Sequence, residues 1–187
     1  MKKIIAAAVV ALGMGGASAQ SFSLGAALGQ SNLNIDCTGA SACDNDGNGA
    51  KVYIGYRVNP FLSVEAGYAH FGTASGAADP GTGTVELKYR SYGAYLAAAG
   101  RVALMKDVAA SARLGVMKVN TRLTASGAAN GSRSDSAFRP LIGLGLEATI
   151  TQSTWATLNI DFTKSAEVVG DDAGTLRLIT LGVRTDF

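Results

Sequence analysis

Eight stretches of the chain alternate apolar side chains with small or polar ones. This period of two is typical of β-strands, because successive side chains of a strand point to opposite faces. In one stretch, for example, Leu62, Val64 and Tyr68 alternate with Ser63 and Glu65. The predicted strands have their first alternating residues at Phe22, Lys51, Leu62, Ser91, Val108, Phe138, Ala156 and Ile179. The sequence therefore predicts an all-β chain of eight strands.

The face opposite the apolar one is unusual in composition. It is rich in Gly, Ala and Ser, and its charged residues occur one at a time. A solvated sheet surface would favour Lys, Glu and Thr, whereas small residues suit the crowded interior of a narrow closed barrel. The apolar face would then contact lipid, as it does in outer-membrane barrels. Closure is required, because lipid offers no hydrogen-bond partner to an open edge strand.

Short and long connections alternate between the predicted strands. The short ones lie at residues 59–60, 105–107 and 152–153, and the long polar ones span about 33–49, 73–84, 126–136 and 165–174. In barrels of this type the short turns face the periplasm and the long loops face outward. An even number of strands then places both ends of the chain in the periplasm. The pattern predicts a closed, antiparallel, up-and-down transmembrane β-barrel.

The first residues of the 187-residue chain have the pattern of a secretory signal peptide. Two lysines precede an apolar run over residues 4–16, and Ala17-Ser18-Ala19 provides the small residues of a cleavage site. We predict cleavage after Ala19, leaving one barrel domain over residues 20–187. Loss of the two lysines lowers the formal net charge of +2 to zero. Export also places Cys37 and Cys43 in an oxidising compartment, where they can form a disulfide.

These features resemble the small eight-stranded outer-membrane barrels, namely OmpA-like transmembrane domains and their OmpX and opacity-protein relatives. The most specific segments are residues 62–68, residues 140–147 and the terminal Phe187. The resemblance implies that the final alternating segment ending in Phe187 is the signal read by the outer-membrane assembly machinery. Because the chain ends at the last predicted strand, no peptidoglycan-binding domain is expected.

Charged residues on the small-residue face would lie inside the barrel. Charges enclosed in so narrow a space must pair, because an unpaired buried ion costs several kcal/mol. We therefore expect an ion-pair network that plugs the lumen, with Glu65, Arg113, Glu147 and Asp161 in one layer. The alternative is a gate of exchangeable pairs that passes small ions. The predicted network comprises Arg57, Glu65, Arg101, Arg113, Arg139, Glu147, Asp161 and Arg184, with Asp186 at its end.

Candidate catalytic and metal-binding residues are few. His70 is the single histidine, and it has the lipid-facing parity of its strand, without a neighbouring serine or carboxylate. We expect it to be an interfacial residue beside Tyr68 and predict no catalytic site. Asp44, Asp46 and Asn48 match the opening of a calcium loop, but Gly55 stands where that loop needs its glutamate. At most a weak cation site is expected there.

The function predicted from sequence is structural or interactive rather than enzymatic. The alternative is a narrow channel for small ions or small hydrophobic solutes. Outer-membrane lipid, lipopolysaccharide and the assembly machinery are the expected partners of a monomeric chain, and the sequence does not identify an extracellular partner. No cofactor is expected, and the small net charge gives no indication of a nucleic-acid partner.

Overall fold

A computed structural model describes residues 21–33, 42–78, 85–127, 130–166 and 174–187. The strands are β1 Phe22–Leu33, β2 Ala42–Asp44, β3 Asp46–Asn59, β4 Leu62–Ala78, β5 Val85–Met105, β6 Val108–Gly127, β7 Gly131–Thr149, β8 Thr154–Lys164 and β9 Thr175–Asp186. No helix in these ranges is long and apolar enough to cross a membrane. The predicted signal peptide lies outside the described residues. So does Cys37, and the predicted disulfide therefore stays a prediction.

Eight of the strands form a closed antiparallel barrel, which confirms the predicted fold class. β1 pairs with β3, each strand from β3 to β8 pairs with the next one along the chain, and β1 pairs with β9 to complete the ring. The short strand β2 precedes β3 and pairs with β4 from Ala42 to Asp44. We call the end of the barrel with the short turns at 60–61, 106–107 and 150–153 the turn end, and the opposite end the loop end.

The strands at the loop end are longer than the sequence predicted. Residues 46–49, 73–78 and 131–136 were expected in long connections but belong to β3, β4 and β7. The reason is visible in the β6–β7 pairing, which continues through Thr121 opposite Asp135 and Thr124 opposite Ser132. Most residues of this extension are polar, so the apolar alternation ends although the backbone ladder continues.

The outer face of the barrel is apolar, as predicted. Leu28 is 72% exposed, Leu114 is 64% exposed and Leu181 is 67% exposed, although all three lie within regular strands. The residues that alternate with them, such as Arg113 and Thr180, are buried. This inverted arrangement is stable only where lipid covers the outside, because large contiguous apolar surfaces are not tolerated in water.

The interior near the loop end differs from the prediction. A small and polar lining was expected throughout, but this half of the lumen is filled by large apolar side chains, each no more than 2% exposed. Around most of them the alternation is inverted relative to the middle of the barrel, with an apolar side chain inward and a polar one outward, as in Met117-Lys118-Val119 and Leu176-Arg177-Leu178. We call this group the apolar layer; its members are Leu33, Phe71, Met117, Val119, Leu141, Leu176 and Leu178.

A β-bulge in β4 shapes the edge of the apolar layer. The β4–β5 register shifts between His70 and Thr73, so Phe71 and Ala74 both point inward although they are three residues apart. Gly72 adopts the left-handed conformation, with φ of 73°, and a Cβ there would lie 2.7 Å from the carbonyl oxygen of Asn48. Glycine therefore suits both the backbone conformation and the space at this position.

Candidate functional site

The lumen contains a balanced group of four buried charges, which we call the central cluster: Lys51, Glu65, Arg113 and Asp161. Arg113 Nε lies 2.6 Å from Glu65 Oε2, and its Nη1 donates to Asp161 Oδ1 at 2.9 Å. Lys51 Nζ donates to the other oxygen of Asp161 at 2.5 Å. None of these side chains is more than 8% exposed. Because every charge has a partner, the cluster avoids an uncompensated buried ion.

Two tyrosines complete the packing around the central cluster. Tyr53 and Tyr95 are 4% and 5% exposed, and the Tyr53 ring centroid lies 5.8 Å from Arg113 Cζ and 5.7 Å from Lys51 Nζ. Each ring lies across a glycine directly opposite it on the neighbouring strand, Gly25 for Tyr53 and Gly67 for Tyr95. The missing side chains leave room for the rings, which fill the cross-section of the barrel.

A second group of charges lies nearer the turn end. Glu147 accepts hydrogen bonds of 2.8 and 2.9 Å from Arg184 Nη1, and Arg101 Nε lies 2.8 Å from its Oε2. Asp186 lies 3.0 Å from Arg184 Nε and accepts a 2.8 Å bond from Arg57 Nη2. We call these five residues the turn-end cluster. The side chains of Arg57 and Arg101 are 34% and 25% exposed, so the turn-end cluster is open to solvent.

The prediction that Glu147 shares a layer with Arg113 is wrong. Arg113 lies opposite Gly143 in the β6–β7 register, and Glu147 is four residues further along β7. At a rise of 3.2–3.4 Å per residue, that separation is about 13 Å along the strand. Glu147 therefore belongs to the turn-end cluster. Its partner Arg184 is on β9, and the pair meets inside the barrel across the intervening strand β8.

Two further residues, Lys51 and Arg139, differ from the predicted network, whereas Asp186 lies at its end as expected. Lys51 was placed on the inward face but not in the network, and the structure pairs it with Asp161. Asp186 was expected at the end of the network, and it contacts both Arg57 and Arg184. Arg139 lies toward the loop end, where its Nε donates to the carbonyl oxygen of Ser165 at 3.0 Å, away from both clusters. The inward parity of Lys51 was the signal that could have identified it.

From the loop end to the turn end, the apolar layer, the central cluster and the turn-end cluster follow one another along the lumen. At the loop end, the hydroxyls of Ser91 and Thr121 bond to each other at 3.1 Å within the wall beside the apolar layer. Below the central cluster, the turn end opens into a hollow of about 30 Å³ bordered by Arg57, Arg101 and Glu147. Such a hollow holds little more than a single water molecule.

The other candidate sites have structural roles. His70 Nδ1 accepts a 2.8 Å hydrogen bond from the amide of Gly72, so this histidine supports the β4 bulge. Asp46 and Asn48 lie along the extended strand β3, where alternate side chains are about 7 Å apart, rather than curled around one ion. This extended arrangement does not resemble a calcium loop, and the weak cation site stays a prediction. Within the described ranges, no group of three or more His, Cys, Asp or Glu residues is placed to hold a metal ion.

Comparison with known proteins identifies a family for nearly the whole chain. Residues 17–184 match the family model of the OmpA-like transmembrane domain. Among solved structures, Neisserial surface protein A is 16% identical with a TM-score of 0.64, covering 89% of this chain and 97% of that one.

Two further solved structures have the same fold. Ail of Yersinia pestis, in complex with the heparin analogue sucrose octasulfate, is 13% identical with a TM-score of 0.59, covering 90% of this chain and 100% of that one. The N-terminal β-barrel domain of Pseudomonas aeruginosa OprF is 14% identical with a TM-score of 0.54, covering 90% and 98%. No curated protein matches the chain. At these identities the structural likeness extends to the fold alone.

Proposed function

The chain belongs to the family of OmpA-like transmembrane domains, and from that premise we propose that it is a structural barrel with a closed lumen, whose interactions are made by its outer face and loops. Its membrane is the bacterial outer membrane, as for this family. The observation that carries the proposal is the stacking of the apolar layer on the central cluster. We further propose that the chain is a non-enzymatic monomer without a cofactor. Cells that carry a His70→Ala variant should therefore have the same lipid A composition as cells that carry the wild type.

The two layers oppose ion passage in different ways. An ion entering the central cluster would have to separate pairs at 2.5–2.9 Å whose members are almost wholly buried. Breaking one partner from a buried pair costs several kcal/mol, and the ion would also lose its own hydration. Beyond the cluster, the side chains of Phe71, Met117 and Leu178 offer it no polar contact. Together these costs support a lumen closed to ions.

Single-channel recording tests the closed lumen. The refolded protein in a planar bilayer is expected to show no steady conductance, and Glu147→Gln should be equally silent. The reason is that Glu147 belongs to the turn-end cluster, so its neutralisation leaves the central cluster and the apolar layer in place. Regular openings in the wild type that change in the variant would contradict the proposal.

One observation favours a narrow channel as the second candidate. The turn-end cluster has three arginines for two carboxylates, and Arg184 is shared between Glu147 and Asp186. Partly exposed groups that share partners are able to exchange them, as a gate requires. Under this alternative the channel passes small ions or small hydrophobic solutes, and Glu147→Gln should open it.

We also propose that the turn end faces the periplasm, together with both ends of the chain. The short turns at this end support that orientation, because in such barrels they are periplasmic. A membrane-impermeant amine reagent applied to intact cells should then modify Lys88 at the loop end and spare Lys106 at the turn end. Modification of Lys106 with Lys88 spared would reverse the orientation.

Phe187 is proposed as the assembly signal. It is 65% exposed beside β1, where its amide donates to the carbonyl oxygen of Phe22 at 2.8 Å. Phe187→Ser should lower the amount of assembled barrel in cells severalfold while leaving refolding of the purified chain into detergent unchanged. Phe61→Ser is the matched control, because Phe61 is 70% exposed at the same end. Equal assembly of both variants would show that Phe187 carries no such signal.

A further inference from the structure

The outward face of β5 and β6 carries four cations near the loop end, which we call the β5–β6 basic patch: Lys88, Arg90, Lys118 and Arg122. Arg90 and Arg122 lie directly opposite each other in the β5–β6 register. Their neighbours Ser91 and Thr121 are buried inside the barrel, so the two arginines share the outer face. Lys118 and Lys88 occupy the same face below and above this pair.

This arrangement is unfavourable without an anion. Directly opposed residues of an antiparallel pair have Cβ atoms about 4.5–5.5 Å apart, and like charges at that distance destabilise the sheet. Glu86 offsets Lys88 weakly, at 4.0 Å with both side chains mostly exposed. In the described part of the chain, Lys118 and Arg122 have no carboxylate partner. The patch therefore keeps an excess of positive charge on the outer wall.

The depth of the patch indicates what covers it. Lys118 lies opposite Phe138, and Tyr92 is the next outward residue from Arg90 toward the middle of the barrel. The Tyr92 ring packs against Tyr68 at 6.1 Å between centroids. Phe138 and Tyr68 are 74% and 45% exposed, and aromatic rings on the outer wall mark the headgroup level of a membrane. Arg90 and Tyr92 are two positions apart in the strand, so the arginines lie within about 7 Å of the headgroup level.

We propose that the β5–β6 basic patch binds the phosphate groups of lipopolysaccharide, through its lipid A, in the outer leaflet. The proposal rests on the orientation given above, in which the loop end faces outward. Paired guanidinium groups match phosphate oxygens with parallel, charge-assisted hydrogen bonds. A bound phosphate would also remove the repulsion between Arg90 and Arg122. The position beside the aromatic rings favours a membrane lipid over a soluble glycan, which would have to reach down the wall of the barrel.

Native mass spectrometry of the detergent-refolded protein, titrated with bisphosphorylated lipid A, tests the proposal. The variant Arg90→Gln/Arg122→Gln should bind about tenfold or more weakly, because it loses several hydrogen bonds to a charged group. Lys106→Gln is the charge control and should bind like the wild type, because Lys106 lies in a turn at the opposite end. Monophosphorylated lipid A should bind the wild type more weakly, and inorganic phosphate should not compete at equal concentration.

Several outcomes would overturn the assignment. One is equal lipid A affinity in the wild type and the double variant, and another is equally tight binding of phosphatidylglycerol. Binding of a sulfated glycan, with lipid A binding unaffected by the substitutions, is a third. The double variant is expected to fold, because it relieves the repulsion between the two arginines. It should be at least as stable as the wild type in the absence of lipid A. Failure of the proposed function is distinguished by separate experiments. Single-channel recording tests whether the lumen is closed, and amine labelling of intact cells tests the orientation of the barrel.

Discussion

Replacing Arg113 with glutamine is expected to lower the free energy of unfolding by about 3–5 kcal/mol. Arg113 holds Glu65 and Asp161 on opposite sides of the lumen, and its side chain is 3% exposed. Its loss leaves the two buried carboxylates with Lys51 as the remaining cation of the cluster. The measurement is equilibrium urea unfolding of the barrel refolded in lipid vesicles, followed by tyrosine and tryptophan fluorescence.

The control for Arg113 is Arg133→Gln, which removes the same charge from an exposed position at the loop end of β7. This change is expected to alter stability by less than about 0.5 kcal/mol, as is usual for exposed sites. A double variant, Arg113→Gln/Glu65→Gln, should recover part of the loss, because it removes the carboxylate whose ion-pair partner is Arg113, while Asp161 keeps Lys51. If Arg113→Gln and Arg133→Gln were equally stable, the central cluster would not be a stabilising element of the barrel.

Replacing Phe71 with alanine should cost about 3–5 kcal/mol, the range for large-to-small changes at buried phenylalanines. The side chain is fully buried in the apolar layer and held inward beside the β4 bulge. Removing it leaves a cavity lined by apolar groups, which water does not stabilise. The same urea unfolding experiment measures the effect.

Phe71→Leu is the graded comparison, because leucine refills most of the space without a polar group. It should cost less than half as much as Phe71→Ala. An alanine variant within about 1 kcal/mol of the wild type would show that the loop half of the lumen is not tightly packed. It would also weaken the view that this layer closes the barrel to ions.

The sequence predicted the fold and the two faces of the wall because both depend on neighbours in the chain. Leu114 faces out and Arg113 faces in through the alternation of a single strand, and this alternation requires no knowledge of the other strands. Because the sequence showed both an apolar face and a small-residue face of the sheet, it also predicted closure into a barrel. The apolar layer was missed because the alternation inverts there, with apolar side chains inward and polar ones such as Lys118 and Arg177 outward. The loop-end extensions of the strands were missed because most of their residues are polar and show no apolar alternation.

The members of each ion pair could not be predicted in the same way. Lys51 meets Asp161, which is 110 positions away in the chain, and Arg184 meets Glu147 across the intervening strand β8. These distances depend on the stagger between strands, which closure of the ring imposes and no local pattern records. The separation of Glu147 from the central cluster is a direct consequence of that stagger.

The sequence by itself thus determined an all-β wall, its apolar outer face and the identity of most inward charges, because side-chain alternation is a local property. Only the tertiary structure decided which charges meet, that Lys51 joins them, and that the apolar layer packs inward in the loop half of the lumen beside the β4 bulge. Those features depend on strand register around a closed ring, which is a property of all the strands together.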